Sequence, residues 1–430
     1  MNSIAAAIAP LPAPPFAHLH RAPAGLACRG CDAGPLALVL DLGTMPLANG
    51  LLESADLESA EPRHPLRLAR CAECGLVQIL DTVAPETLFA HYAYFSSSSS
   101  GWLAHARRLA DSLITARRLS RRSQVVEIAS NDGYLLRNFV ARGIPALGVD
   151  PAGTVAAAAE RAGVQTLCAF FNRDLACRLR RDGTSADVVI ANNVLAHVPD
   201  PVDVLTGMRL LLRPGGTVEI EVPWLCDLVE KTEFDTIYHE HIYYYSLTAL
   251  APLCRAAGLE PLHVLHLPTH GGSLHLSAGL PGDYPVRPSV AAWLADEARR
   301  GVRSAHYFTR FATRAVALRG ELRATLAALK RAGHTLAAYG AAAKGATLLN
   351  FCGLGRETLD FVVDRSAAKH GRFMPGSHLP ILPTDELLHR RPAYALLLAW
   401  NWADEILVQQ RTYRAAGGRF IIPLPTLRIV

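Results

Sequence analysis

The chain is 430 residues long, more than one hydrophobic core usually holds, so two or three domains are expected. Half of the residues are apolar and only 19% are charged, which excludes a disordered chain. Lys plus Arg number 43 against 38 Asp plus Glu, and a formal +5 spread over this length is no footprint for nucleic acid, though it suits an anionic small molecule.

No run of about 18 consecutive apolar residues occurs, so no membrane span is expected. Met1 to Pro15 is rich in Ala and Pro and has no positive charge ahead of its short apolar run, so it reads as a floppy leader rather than a secretory signal. Of nine cysteines, four form two C-x2-C pairs and five are scattered in apolar surroundings. That pattern predicts a reducing, cytoplasmic setting with one metal site, not a disulfide framework. Three zones are expected: a small zinc-binding domain over 22–85, an α/β domain with a helical lead-in over 86–285, and a second α/β domain over 286–430.

Cys28-x2-Cys31 and Cys71-x2-Cys74 each turn two sulfurs toward one point, and two such turns complete a tetrahedron about Zn2+. Four sulfurs leave no position for water, so the expected role is structural. The apolar alternation of Pro65 to Ala69 and the run Gly75 to Ile79 predict strands around the second pair, and Asp41 to Leu52 is expected to be loop. Tyr92, Tyr94 and the serine run Ser96 to Ser100 then lead into a helix over Trp102 to Arg118.

Gln124 to Ala129 reads as a buried strand that runs into Ser130-Asn131-Asp132-Gly133, a small polar turn. The next apolar run ends in Asp150, whose carboxylate suits ribose hydroxyls. A dinucleotide enzyme places three glycines in its first turn. Here the turn has one glycine and an acid, which repels diphosphate and tolerates the amino and sulfonium groups of S-adenosylmethionine (SAM). Ala186 to Ala191 predicts a further strand, ending at Asn192-Asn193-Val194-Leu195-Ala196-His197. A helix closes at Leu210 to Arg213, and Pro214-Gly215-Gly216 precedes a strand over Thr217 to Val222. In order and spacing, these pieces resemble class I SAM-dependent methyltransferases.

Glu233 to Ser246 packs two histidines, two glutamates, an aspartate and four tyrosines into fourteen residues. In a strand, alternation would put His239 and His241 on one face and Tyr238 and Glu240 on the other. The segment lacks the helical H-E-x-x-H spacing of a zinc protease. Imidazole exchanges protons near neutral pH, and a tyrosine donates to a developing enolate oxygen.

The string F-D-T-I-Y-H-E-H (234–241), the cysteine quartet, the Y-x-Y-F-S-S segment and H-G-G-S-L (270–274) resemble sugar C-methyltransferases that act on nucleotide-linked 4-keto-deoxysugars. The resemblance spans roughly residues 25 to 425. It implies a class I SAM methyltransferase Rossmann-like domain, flanked by a small N-terminal zinc-binding domain and a C-terminal α/β Rossmann-like domain that helps hold the nucleotide sugar. It implies that Glu127, Ser130, Asn131, Asp132 and Gly133 line the methionine part of SAM, that Asp150 takes the ribose, and that Asn192 and Asn193 flank the cofactor. Tyr92, His197, Tyr238, Glu240 and His241 match active-site positions. The implied scheme has His241 or Tyr238 removing the proton beside the ketone, with Tyr92 and His197 steadying the enolate oxygen. The base, the methylated carbon (C3 or C5) and the oligomeric state stay open.

From Thr335 a second alternation of strand and helix begins. Tyr339 to Gly345 is a small-residue turn into a helix, and Lys344 adds a cation, a plausible cradle for the diphosphate of a dTDP-linked sugar. Two other readings compete: a SAM methyltransferase for oxygen or nitrogen of another acceptor, and a non-catalytic zinc-ribbon interaction protein. The crowded acid/base string argues against the first, and intact Asp132, Asp150 and His241 against the second.

Overall fold

The computed structural model describes residues 26–84, 87–88 and 95–430. The Met1 to Pro15 leader, Tyr92 and Tyr94 lie outside the described residues. Among the described residues, no helix is long and apolar enough to cross a membrane.

The N-terminal sheet is built from β1 (Ala37–Met45), β2 (His64–Arg70) and β3 (Val77–Ile79), all antiparallel. β1 corrects the expected loop, since Asp41 to Met45 belongs to the strand. Val39, Leu40, Leu42 and Met45 are buried, and two register shifts against β2 break the simple alternation that would have marked it.

The central sheet contains β4 (Val125–Ile128), β5 (Ala146–Asp150), β6 (Thr166–Cys168), β7 (Ala186–Asn192) and β8 (Leu212–Pro223). The two-residue strand β9 (Tyr243–Tyr244) leaves this part of the chain to pair with β3, as the fourth strand of the N-terminal sheet. β10 (Glu260–Leu267) and β11 (Ser273–Gly279) complete the central sheet in the order β6-β5-β4-β7-β8-β11-β10. β4 to β8 run parallel, and β11 is antiparallel to both neighbours. All four residues of β4 are buried, as a central strand with helices on both faces requires. The order reverses between β4 and β7. Ligands of such sheets bind at the carboxyl ends of the strands at that reversal.

The helices Pro288–Arg300 and Ala305–Arg331 lead to the C-terminal sheet. Its strands are β12 (Leu336–Tyr339), β13 (Val362–Val363), β14 (Ile381–Leu382), β15 (Tyr394–Leu397), β16 (Arg419–Ile422) and β17 (Arg428–Ile429), in the order β14-β13-β12-β15-β16-β17. A second reversal lies between β12 and β15, where the Gly340 to Lys344 turn faces Trp400 and Asn401.

Glu297 ties the Pro288–Arg300 helix to the central unit. Its fully buried carboxylate accepts from Trp224 Nε1 (2.8 Å), Trp293 Nε1 (3.2 Å), Leu247 N (2.8 Å), and Thr248 N and Oγ1 (2.7 and 2.6 Å). Glu297→Ala strands these donors and is expected to cost about 3 kcal/mol or more in chemical denaturation. A loss under about 1 kcal/mol would contradict this assignment.

Candidate active site

A candidate cofactor crevice forms where β4, β5 and β7 end. Ser130 follows β4 and lies against Gly148 of β5; a Cβ at Gly148 would sit 2.3 Å from Ser130 Oγ, so only glycine fits. Ala129 and Asn131 adopt positive φ (52° and 51°), which brings Asn131 N within 2.9 Å of Asp150 Oδ2. Asp150 Oδ1 accepts from Ala152 N, also at 2.9 Å. Burial raises the pKa of Asp150, and the two amide bonds oppose that rise. Burial also holds Glu127 well above the ordinary carboxyl range.

Glu127 Oε2, Ser130 Oγ, Asp132 Oδ1, Asn192 Oδ1 and Asn193 Oδ1 are buried with no hydrogen-bond partner among the described residues. Each of these oxygens can accept. A crevice rich in orphaned acceptors fits a ligand that brings donors and positive charge, as SAM does with its ammonium, sulfonium and ribose hydroxyls. It does not fit a diphosphate, which only accepts. Two neighbours of this crevice escaped the sequence reading. The serine run sits on it: Ser96 N donates to Asn131 Oδ1 (2.9 Å), and Ser97 donates through N (3.1 Å) and through Oγ to Asp132 Oδ2. His105 on the helix Ser100–Arg117 pairs with Glu221 Oε2 at 2.7 Å, and Glu221 is in register with Asn192.

The segment after β8 forms a turn, not a strand, through Tyr238 to His241. His241 N donates to Tyr238 O (2.9 Å), closing a turn, and strand pairing starts only at Tyr243. The turn reverses the predicted sorting of side chains. Tyr238 and His241 meet, with Tyr238 Oη 2.8 Å from His241 Nε2 and ring centroids 4.1 Å apart. His241 Nδ1 lies 3.2 Å from Thr236 O. A carbonyl only accepts, so Nδ1 carries the proton, Nε2 offers its lone pair, and Tyr238 donates to it. His239 turns the other way and donates through Nε2 to Pro65 O (3.1 Å).

His197 approaches from the loop after β7, its ring 4.8 Å from that of His241. Burial pushes His197 down to about 4, so the ring is neutral at pH 7. Ile242 N donates to Ala196 O at 2.6 Å, so the Tyr238–His241 turn hangs from the loop that also carries Asn192 and Asn193. Glu240 is 5% exposed, and burial raises its carboxyl to about 7.

Two more buried acids face the C-terminal unit. Asp235 Oδ2 accepts from Trp400 Nε1 at 2.6 Å, and Thr347 Oγ1 donates to Ile237 O at 3.2 Å. Burial raises Glu233 to about 7 and Asp235 to about 6, and Lys344 opposes both shifts. Lys344 Nζ stands 4.8 Å over the Trp400 ring and donates to Asn401 Oδ1 (3.2 Å). One amide of the expected anion cradle is already committed, since Ala341 N donates to Asp364 Oδ2 at 2.7 Å.

The sulfurs of Cys28, Cys31, Cys71 and Cys74 lie within 4.8 Å of one another, with Cys28–Cys74 and Cys31–Cys71 both at 3.6 Å. A zinc tetrathiolate requires sulfur–sulfur edges of about 3.8 Å, so the four fit that ion and no disulfide. Gln78 Nε2 donates to Cys28 Sγ (3.2 Å), and the same residue pairs with Tyr243 of β9. One strand therefore separates the cysteine cluster from the Tyr238–His241 segment.

Residues 28–89 match the family model described as "Putative zinc binding domain", 102–264 that described as "Methyltransferase domain", and 268–425 that described as "C-methyltransferase C-terminal domain". The chain is 36% identical over 404 residues to the C-methyltransferase NovU of Streptomyces niveus, covering 94% of this chain and 96% of that protein. The chain belongs to this C-methyltransferase family. Similar solved structures include magnesium protoporphyrin IX methyltransferase (ChlM) from Synechocystis with bound SAH, at TM-score 0.34 and 16% identity over 42% of this chain and 84% of that one. A SAM-dependent methyltransferase from Clostridium acetobutylicum aligns at TM-score 0.33 and 10% identity over 46% of this chain and 96% of that one. This C-methyltransferase is SAM-dependent and has the class I methyltransferase fold, with an N-terminal cysteine-bearing domain and a C-terminal α/β domain.

Glu233 and Asp235 give the C-methyltransferase a pH signature. Their folded pKa values of about 7 and 6 lie above an ordinary unfolded carboxyl near ~4, so the folded state binds more protons between these limits. Their contribution to stability is therefore lost as pH rises through that window. Glu233→Gln and Asp235→Asn are expected to melt above wild type at pH ~8 and to lose that advantage near pH ~4 in scanning calorimetry. An equal difference at both pH values would contradict the assignment.

Proposed function

We propose that this C-methyltransferase acts on a nucleotide-linked 4-keto-deoxysugar, with dTDP as the nucleotide, and methylates the carbon beside the ketone. The observation that carries the reading is the Tyr238–His241 pair, whose proton order leaves imidazole Nε2 as an acceptor behind a phenol, suspended from the loop that carries Asn192 and Asn193. Methylation at carbon needs a proton removed first. The oxygen of Tyr238 takes the proton from the carbon while its own proton passes to His241 Nε2. The resulting imidazolium keeps its Nδ1–H on Thr236 O. Tyr92 would donate to the enolate oxygen, whereas His197, neutral at pH 7 with its one N–H on the Glu240 carbonyl, packs its ring against His241 instead of steadying that oxygen. Glu240 completes the site as a buried carboxylate.

SAM, when bound, supplies an electrophilic methyl group. Glu127, Ser130, Asn131, Asp132 and Gly133 would hold its methionine part, Asp150 its ribose, and Asn192 and Asn193 its flank. Lys344, at the turn where the C-terminal unit meets Asp235, would face the substrate diphosphate. The four cysteines would hold structural Zn2+, which fixes the sheet that includes β9 and takes no part in the chemistry.

Incubation with SAM and a panel of dTDP-4-keto-deoxysugars, read by mass spectrometry, is expected to add one methyl to a sugar of the panel. Methylation of an oxygen or nitrogen instead would refute the reading. His241→Asn and Tyr238→Phe are each expected to lower kcat by about 100-fold or more while SAM binding by calorimetry stays at wild type. Near-normal turnover in both would remove the pair from the mechanism. Cys71→Ser is expected to lose bound zinc in elemental analysis and to lower the melting temperature; full zinc occupancy in that variant would contradict the tetrathiolate.

A further inference from the structure

Asn49 lies on the loop after β1, in the cysteine-bearing sheet, 191 residues from the side chain it touches. Its Nδ2 donates to Glu240 Oε2 at 2.5 Å, and its backbone N–H also favours the ionised form of that carboxyl. The loop holds Asn49 firmly: Ala48 is buried, Gly50 N donates to Leu47 O (3.0 Å), Leu51 N donates to Asn49 O (2.9 Å), and Leu52 exchanges both backbone hydrogen bonds with Phe373 of the C-terminal unit. Glu240 in turn offers its backbone carbonyl to His197.

We propose that Asn49 is a positioning residue of the methyl-transfer reaction, through which the cysteine-bearing domain supplies the donors that keep the Glu240 carboxylate ionised and in one orientation within the active-site turn. The inference rests on the reading of Glu240 as an active-site group given above. A carboxylate next in the chain to His241 favours the positive charge that the imidazole acquires when it takes a proton. The small N-terminal domain is then a wall of the active site as well as a folding unit.

Burial raises Glu240, and both Asn49 donors oppose that rise; among the described residues no charged side chain contributes. The titratable groups around it are His197 from the loop after β7, and Tyr238, His239 and His241 of its own turn. The loop from Pro46 to Leu52 carries none, and Lys344 of the C-terminal unit acts on Glu233 and Asp235.

Asn49 is itself exposed, so truncation leaves no cavity. Asn49→Ala is therefore expected to keep wild-type zinc content, melting temperature and SAM affinity. Its kcat, on whichever dTDP-4-keto-deoxysugar the wild-type enzyme methylates, is expected to fall about tenfold or more, and the acid limb of the kcat–pH profile moves to higher pH. Asn49→Asp keeps the shape but replaces the donor with a second carboxyl, and moves that limb further. Infrared difference titration against Glu240→Gln reads the Glu240 carboxyl without turnover, and is expected to show the same upward order. Wild-type kcat and an unmoved Glu240 titration in both Asn49 variants would overturn the proposal. An unimpaired Glu240→Gln enzyme would instead sink the active-site reading of Glu240, so the two failures are distinguishable.

Discussion

The structure depends on one segment, Glu233 to Ser246, being held by all three sheets at once. Trp400 and Thr347 of the C-terminal unit hold Asp235 and the Ile237 carbonyl. Pro65, Asn49 and strand β3 of the N-terminal unit hold His239, Glu240 and the β9 residues Tyr243 and Tyr244. The central unit takes the rest, with Ile242 on Ala196, Tyr243 Oη donating to Pro199 O (2.7 Å) and Tyr245 Oη to Leu195 O (2.9 Å). A fourteen-residue stretch with little regular structure of its own is thereby fixed in one conformation by its neighbours. The neutral Tyr238–His241 hydrogen bond is the product of that clamp. In the catalytic role proposed for it, such a pair works only when its geometry is set before the substrate arrives.

The same burial that orders the segment sets its electrostatics. Glu233, Asp235 and Glu240 all bind protons more tightly than free carboxyls because they are removed from water, and His197 loses its proton for the same reason. The crevice next to it is lined by buried oxygens without partners among the described residues, which suits a cationic, hydroxyl-bearing ligand better than a dinucleotide. The cysteine cluster reaches the segment through Gln78, which touches a sulfur at one end and pairs with β9 at the other. Folding of the small domain and the shape of the proposed active site beside it are thus mechanically linked.

Much of this was legible locally. β4, β5 and β7 are short apolar runs that end in polar residues, and the two C-x2-C pairs meet in space as their spacing implies. What escaped depends on partners far along the chain. The Tyr238 to His241 string alternates like a strand, yet His239 and Glu240 reach the N-terminal unit while Tyr238 and His241 meet each other beside His197, and a turn serves them better than an extended chain. Nothing near Asn49 marks it, because its partner is remote and the loop around it is otherwise apolar. The first strand was concealed by two register shifts, and the role of the serine run by partners 35 residues away, Asn131 and Asp132. Tyr339 to Gly345 did read correctly as a strand-to-helix turn, but not the Asp364 carboxylate that occupies one of its amides.

The proposed chemistry requires that protein side chains make a sugar carbon nucleophilic before any methyl group moves. It is tested most directly by NMR of a dTDP-4-keto-deoxysugar in D2O with zinc-loaded enzyme and no SAM. Deuterium is expected to enter at the carbon beside the ketone with wild-type protein and not with His241→Asn. Absence of wash-in with every keto sugar, from wild-type protein that methylates a hydroxyl or amine elsewhere, would contradict it.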